Sequence, residues 1–339
     1  MQAYRYMLRR LAGLPPLLLG VVTIAFILSH LAQADPLTSI LPERQLSNPE
    51  AVAAAKARWG LDKSLTEQYV VYIKNIASGD LGTSFRTKRP VSQDLLERLP
   101  ATMELVVAAL LVGSASGILL GVLAARMRDT LVDHLVRLFA LLGSSLPVFW
   151  SGLAALSIFS VQLGLMPGPG RLDSRSPSLD TFTGFYTVDA LLQGKFSTFL
   201  EALSHLILPA AVLGWSITGI ISRLVRASML DVLGQDYILM AKAKGATDRG
   251  VLFHHALRNA LIPAITVIGY SFAFLLTGAV LTETIFSWPG IGSYAVDSAR
   301  ALDYPAIMGV TLLGGAFFLL TNLVTDLTYV SVDPRIKLQ

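Results

Sequence analysis

The chain has 339 residues, of which 53% are hydrophobic and only 15% charged, with a mean hydropathy of +0.59. An ordinary soluble domain is about 25% charged, so that class is excluded. The net charge of +4 is not gathered into a nucleic-acid footprint, and the lack of cysteine excludes disulfides, thiolate metal sites and cysteine nucleophiles while leaving the redox compartment undecided.

Apolar runs close to the ~20 residues that cross a bilayer recur along the chain. Six are read as spans: about Leu14–Leu31, Thr102–Ala124, Leu138–Val161, Leu203–Ile221, Leu261–Leu281 and Ala306–Leu327. Backbone in lipid must satisfy its own hydrogen bonds, so the expected fold is an all-α membrane protein with six transmembrane helices. The first run follows Arg5, Arg9 and Arg10 and precedes Ala32-Gln33-Ala34, which imitates a signal cleaved before Asp35. The run Leu11–Ala32 is longer than the about 7–15 residue core of such signals, so it is read as a retained first span in residues 1–31.

Residues 32–100 read as an external helical cap. Asn48, with Pro49 after it, caps one helix that ends at Gly60. Ser64 and Glu67 form a capping box for a second helix carrying Tyr69, Tyr72, Ile73 and Ile76 on one face. That stripe suits packing onto the spans better than reception of a soluble partner. Gly79-Asp80-Leu81-Gly82-Thr83-Ser84 reads as a structural turn, because the chain has no Gly-x-x-x-x-Gly-Lys-Ser/Thr motif to make it a phosphate cradle. If ATP is used, another polypeptide binds it.

The core, residues 101–328, comes next. Gly113, Gly117 and Gly121 give the second span a face of small residues, for packing within the subunit or for a moving interface. Gly143 and Pro147 predict a kink in the third. Gln162–Ala202 reads as an external loop with some helix near Val188–Leu192. Thr284–Gly292, with Trp288 at the membrane interface, reads as a re-entrant or interfacial hairpin.

Between the fourth and fifth spans lies a polar stretch of 36 residues, Arg223–Arg258. Asp236 is the expected N-cap of a helix Tyr237–Lys244, with Gly245 in the left-handed position beyond it and Lys242 and Lys244 complementing the helix dipole. Thr247-Asp248 starts a new helix that runs into the fifth span. The first helix is expected to expose Tyr237, Ile238, Leu239 and Met240 beside the small Ala241 and Ala243. Apolar side chains are costly to leave in water, so a docking surface is favoured over a merely solvated hairpin.

The short loops Arg126–Arg137 and Arg223–Arg258 together hold nine Lys/Arg, and the tail, residues 329–339, adds Arg335 and Lys337. The opposite segments Gln162–Ala202 and Thr282–Tyr304 hold only Arg171, Arg175, Lys195 and Arg300. The positive-inside rule puts both termini in the cytoplasm. The ionisable residues in or near spans are His30, Glu104, His205, Glu283 and Asp326. Glu104 and Glu283 are the candidates for a translocation path; placed near span ends, they fit a structural role better. A proton-coupled transporter would want carboxylates or histidines at the midplane, and none is there. An intramembrane hydrolase could draw on Ser114 or Ser116 with His30 or His205, but no third orienting group is evident.

The residues resemble the permease subunits of ABC importers of the dipeptide/oligopeptide/nickel branch, over nearly the whole chain. The likeness runs through Gly60-Leu61-Asp62-Lys63, Gly79–Ser84, Leu99-Pro100-Ala101-Thr102-Met103-Glu104-Leu105, Asp236–Gly245, His255–Pro263, Thr282–Gly290 and Asp333-Pro334-Arg335-Ile336. The wider family carries a Glu-Ala-Ala…Gly…Ile-x-Leu-Pro pattern in the loop that docks on the ATPase. Here Ala241, Gly245 and Leu257 match. Leu239 and Met240 replace the first Glu and Ala, Arg258 replaces the proline, and the next proline is Pro263.

The resemblance implies a type I importer fold and a subunit without its own ATPase, catalytic, cofactor or metal site. The partners it implies are a second, similar permease, two cytoplasmic ATPases that bind ATP, and an external solute-binding protein. Coupling would fall to Asp236, Tyr237, Leu239, Met240, Ala241, Lys242, Ala243, Lys244, Gly245 and Arg258. The implied location is the bacterial cytoplasmic membrane. The long loop after the third span resembles dipeptide-type members; glutathione, nickel chelates and other small solutes are the alternative cargoes.

Overall fold

The computed structural model describes residues 13, 15–24, 26, 27, 37, 41, 43–173, 175, 176 and 179–332, without the side chains of 43, 44, 58, 59, 72 and 324–332. Arg5, Arg9, Arg10, His30, the Ala-Gln-Ala site before Asp35, the Asp326 side chain and the tail from Asp333 therefore lie outside the described residues. Every regular element among them is helical, and Thr83 and Pro90 form an isolated antiparallel bridge.

Helix α1 is Pro49–Trp59 and α2 is Leu65–Ala77. Both start as their sequences demand: Asn48 Oδ1 accepts from the Glu50 N–H at 3.0 Å, and Ser64 and Glu67 close a reciprocal capping box. Donation from the Ser64 hydroxyl and backbone N–H holds the Glu67 carboxyl below its usual range. Helix α3, Val91–Arg126, begins ahead of the expected Thr102 and carries Pro100 inside it. Its 36 residues make a rod of about 54 Å at 1.5 Å per residue.

The expected kink at Pro147 is a full break. Helix α4, Leu131–Ser145, and the following segment Val148–Gln162, which is α5 (Val148–Ala155) plus a π-helical turn, meet at 111°. Proline lacks an N–H and pushes the preceding residue out of the helical region, and Leu146 sits at ψ 137. Then come α6 (Tyr186–Leu192) in the long loop, α7 (Phe196–Leu233), α8 (Asp236–Ala243), a π-helical segment Gly250–Ala256 leading into α9 (Leu257–Ile285), α10 (Ile291–Arg300) and α11 (Tyr304–Val332).

Among the described residues, four helices are long and apolar enough to cross a membrane: Val91–Arg126, Phe196–Leu233, Gly250–Ile285 and Tyr304–Leu323. The bent pair Leu131–Gln162 makes a fifth if it is one span, and the described part of the first apolar run is a shorter helix, Pro15–Ile24.

The chain forms two compact units, Met1–Pro100 with Pro289–Leu319 and Ala101–Trp288 with Leu320–Gln339. In the first, the Gly79–Ser84 turn proves structural. Gly79 and Gly82 take φ of 83° and 82°, and Asp80 Oδ1 accepts from the Gly82 N–H. The turn delivers the Ser84 hydroxyl and the N–H groups of Phe85 and Arg86 to the fully buried carboxylate of Asp303. Tyr69 of the α2 stripe packs edge-on against Phe26 and shares a hydrogen bond with Thr23 at 2.7 Å, as the packing reading of that stripe requires.

In the second unit α7 is the hub. A Cβ added at Gly113 would lie 2.5 Å from the Gly214 carbonyl oxygen, one at Gly121 2.7 Å from that of Ser222, and one at Gly219 would overlap that of Ala140. Gly117 meets Ile221 and Gly143 meets Trp215 in the same way. The glycine stripe of the second span is thus spent on packing within the subunit. Ser116 joins that packing, its hydroxyl bonded to Val112 O and shared with Thr218.

Gly219→Val should destabilise the detergent-solubilised chain by at least about 1–3 kcal/mol through overpacking against α4, read as a lower midpoint of thermal unfolding. Gly314→Ala is the control: among the described residues no neighbouring atom lies within 4 Å of its added Cβ, and alanine favours a helix more than glycine.

Candidate coupling site and buried charge networks

Helix α7 ends at Gly234, and Gln235 in extended conformation starts α8. The expected cap is corrected here. Gln235 is the N-cap residue, Asp236 is the first residue of the helix, and no side chain caps it. Gly245 takes φ 85°, the left-handed exit read from the sequence. Lys242 lies in the last turn and Lys244 is the C-cap. Thr247 starts the next segment as expected, its hydroxyl and carbonyl accepting from the N–H groups of Gly250 and Val251.

One apolar residue of α8 does not face water. Ile238 is completely buried, in a core shared with Val225, Met229, Val251, Leu252 and Ala256. It anchors the helix, so the expected exposure of Ile238 is wrong. Tyr237, Leu239 and Met240 are 40%, 60% and 59% exposed, joined nearby by Phe253 at 54%. Ala241 is half-buried, while Lys242, Ala243, Lys244 and Arg258 are exposed. The Tyr237 hydroxyl accepts from Asn259 Nδ2 at 2.8 Å, which ties α8 to the base of α9. After the short turn and connection at residues 244–247, Gly250–Ala256 and Leu257–Ile285 run on as one continuous helix.

At the same end of this unit, the Arg226 guanidinium grips the buried Asp133 carboxylate in both positions, Nε to Oδ1 at 2.8 Å and Nη2 to Oδ2 at 2.7 Å. Bidentate pairs of this kind fix geometry as well as charge. Arg137 flanks the pair at 3.4 Å, and a cavity of about 240 Å³ opens beside it, lined by Arg137, Arg223 and Arg226. In the sequence these arginines speak only to orientation.

Glu104 and Glu283 are both buried and both partnered. Glu104 accepts from Arg171 Nη2 at 2.5 Å and from the Thr187 N–H and hydroxyl at 2.9 and 2.6 Å. Arg171 itself lies 3.6 Å from the centroid of the Tyr186 ring and donates to Gly184 O. Glu283 accepts from the Thr102 hydroxyl at 2.5 Å. Trp288 is 1% exposed and donates to the Ala101 carbonyl, so its indole packs within the protein.

The loop that presents Thr187 is set by Asp189. Burial pushes its carboxyl up, but donation from the Thr183 hydroxyl and the N–H groups of Thr183 and Gly184 outweighs that and holds it below the ordinary aspartate value. A depressed carboxyl stabilises the fold above its unfolded pKa of about 3.9, and that contribution is lost as pH falls through the lower folded value.

With this geometry in place, the comparisons define the class. Residues 117–338 match the family described as the binding-protein-dependent transport system inner membrane component, and residues 3–106 match the N-terminal region of that component. The chain belongs to this family and is a membrane permease component. Among curated relatives, it is 45% identical to the di/tripeptide transport system permease of Pseudomonas aeruginosa, over 98% of this chain and 99% of that one. It is 44% identical to the probable D,D-dipeptide transport system permease of Escherichia coli, over 97% and 96%. The glutathione transport system permease of Salmonella paratyphi A is 35% identical over 98% of each chain.

Removing one member of the Glu104–Arg171 pair strands a buried charge, a loss of about 3–5 kcal/mol, whereas replacing both with apolar residues is far milder. Glu104→Ala should therefore lower the unfolding midpoint more than the double substitution Glu104→Leu with Arg171→Met. Thermal unfolding of the three purified proteins in one detergent compares them.

Proposed function

We propose that this chain is the permease subunit of an ATP-driven importer that moves di- or oligopeptides across the bacterial cytoplasmic membrane. The observation that carries the reading is α8: a helix locked from behind by Ile238, with Tyr237, Leu239 and Met240 turned to water and only a short connection before the continuous helix that becomes α9. Burying an apolar side chain of this size is worth about 1.5–3 kcal/mol, enough for a few residues to hold a partner. The peptide cargo is supported by the names of the relatives. Glutathione, carried according to the name of a more distant relative, is the second reading; nickel chelates or another small solute would use the same machinery.

The partners are a second, similar permease, two cytoplasmic ATPase subunits that bind the ATP, and an external solute-binding protein. Six spans with both termini in the cytoplasm complete the topology, with residues 32–100 as an external cap and 223–258 as the coupling loop. Asp236 through Lys244 receive the stroke of the ATPase, Gly245 ends the helix, and Arg258 stands where the loop re-enters the span. Glu104 and Glu283 brace the outer part of the translocation path from within the protein, their carboxylates occupied by Arg171 and Thr102 rather than open to solute. ATP binding shifts the partner, α8 moves with it, and α9 turns, closing the outer mouth while the inner one opens. A proton-coupled transporter leaves α8 with no task.

Leu239→Asp and Met240→Asp alter exposed positions and should leave the chain in the membrane at normal level. Transport by the assembled system in vesicles should fall by at least about tenfold, the equivalent of ~1.4 kcal/mol of docking energy. Normal transport by both variants would sink the assignment of α8. Uphill uptake by this chain alone, driven by a proton gradient without ATPase or binding protein, would sink the importer reading altogether.

A further inference from the structure

His205 stands apart from every network described so far. It is 4% exposed on α7, its Nδ1 lies 3.1 Å from the Gly170 carbonyl oxygen, and its buried Nε2 has no hydrogen-bond partner among the described residues. Donation from Nδ1–H to Gly170 fixes the tautomer and leaves the Nε2 lone pair unused. A buried polar atom without a partner is a cost that native structures rarely carry unexplained. Glu201 sits one helical turn earlier on the same face, and Asp173 approaches from the loop; the three residues offer ligand atoms that all lie within 4.8 Å of one another. The Glu201 carboxylate is already oriented, with Oε1 accepting from the Asp173 N–H at 2.8 Å and the Ser176 hydroxyl at 2.5 Å.

We propose that Asp173, Glu201 and His205 bind a divalent transition-metal ion, with zinc the best fit to one imidazole and two carboxylates. Imidazole disfavours magnesium and calcium, and the absence of thiolate disfavours the softest ions. The carbonyl of Gly170 behind Nδ1 is the outer support that metal-bound histidines use to fix tautomer and ring orientation. Zinc–ligand bonds of about 2.0–2.2 Å place tetrahedral donors about 3.3–3.6 Å apart, so the site must tighten, and Asp173, exposed on its loop, is the ligand free to close in. A water completes the fourth position. The bound ion clamps to α7 the same stretch of loop that carries Arg171 to Glu104.

Zinc competition against a chromophoric chelator, on tag-free full-length chain in detergent, tests the site independently of transport. Wild type should bind one tightly held zinc, and zinc should raise its unfolding midpoint. Glu201→Gln and His205→Gln should each weaken binding by at least about tenfold. Asp173→Asn, at an exposed position that cannot unfold the chain, should do the same, while the paired substitution of His254 and His255 by Gln should leave binding unchanged. Zinc uptake only at millimolar concentration overturns the proposal, as does tight binding that persists in Asp173→Asn and Glu201→Gln or disappears with His254 and His255.

Discussion

The second unit depends on helix backbones that approach closely enough for one carbonyl oxygen to occupy the space of another helix's missing Cβ. Gly113, Gly117 and Gly121 on α3, Gly143 on α4, and Gly214 and Gly219 on α7 make those approaches possible. In lipid there is no hydrophobic drive to bring helices together, so dispersion and close fit carry the association. Three helices thereby become one body around α7. The Asp133–Arg226 grip closes one end of it with a charge-assisted bond that apolar packing could not supply.

That close packing supports the coupling role proposed for α8. A docking helix on a soft scaffold would absorb force locally. Ile238 instead keys α8 into the same core that holds Val225 and Met229 of α7, while Tyr237 ties it to Asn259 at the root of α9. The helix is therefore attached to two spans at once. The π-helical segment Gly250–Ala256 keeps the connection helical while shifting the register of α9 beyond it.

Local signals were legible in the sequence, and long-range ones were not. Asn48, Ser64 with Glu67, Gly60 and Gly245 act within a turn of themselves, and each is found as read. The apolar runs located the long helices for the same reason. Ile238 was misjudged because α8 is too short for a periodic pattern to separate its anchored side from its open one. The partner of Trp288 is the carbonyl of Ala101, far away in sequence, which residue type alone does not announce. Proline at 147 announced a disturbance, but the 111° angle depends on what α4 and α5 pack against. Arg171, Asp303 and Arg226 each find partners across many residues, and single positions leave no such trace.

The exposed side chains of Tyr237, Leu239, Met240 and Phe253 carry a second consequence under the coupling role proposed for α8. A copy without its companions would present large apolar side chains to water, the kind of surface that chaperones and quality-control proteases recognise. Docking would cover them. The same side chains would then act both as the handle of the machine and as the mark by which surplus copies are cleared.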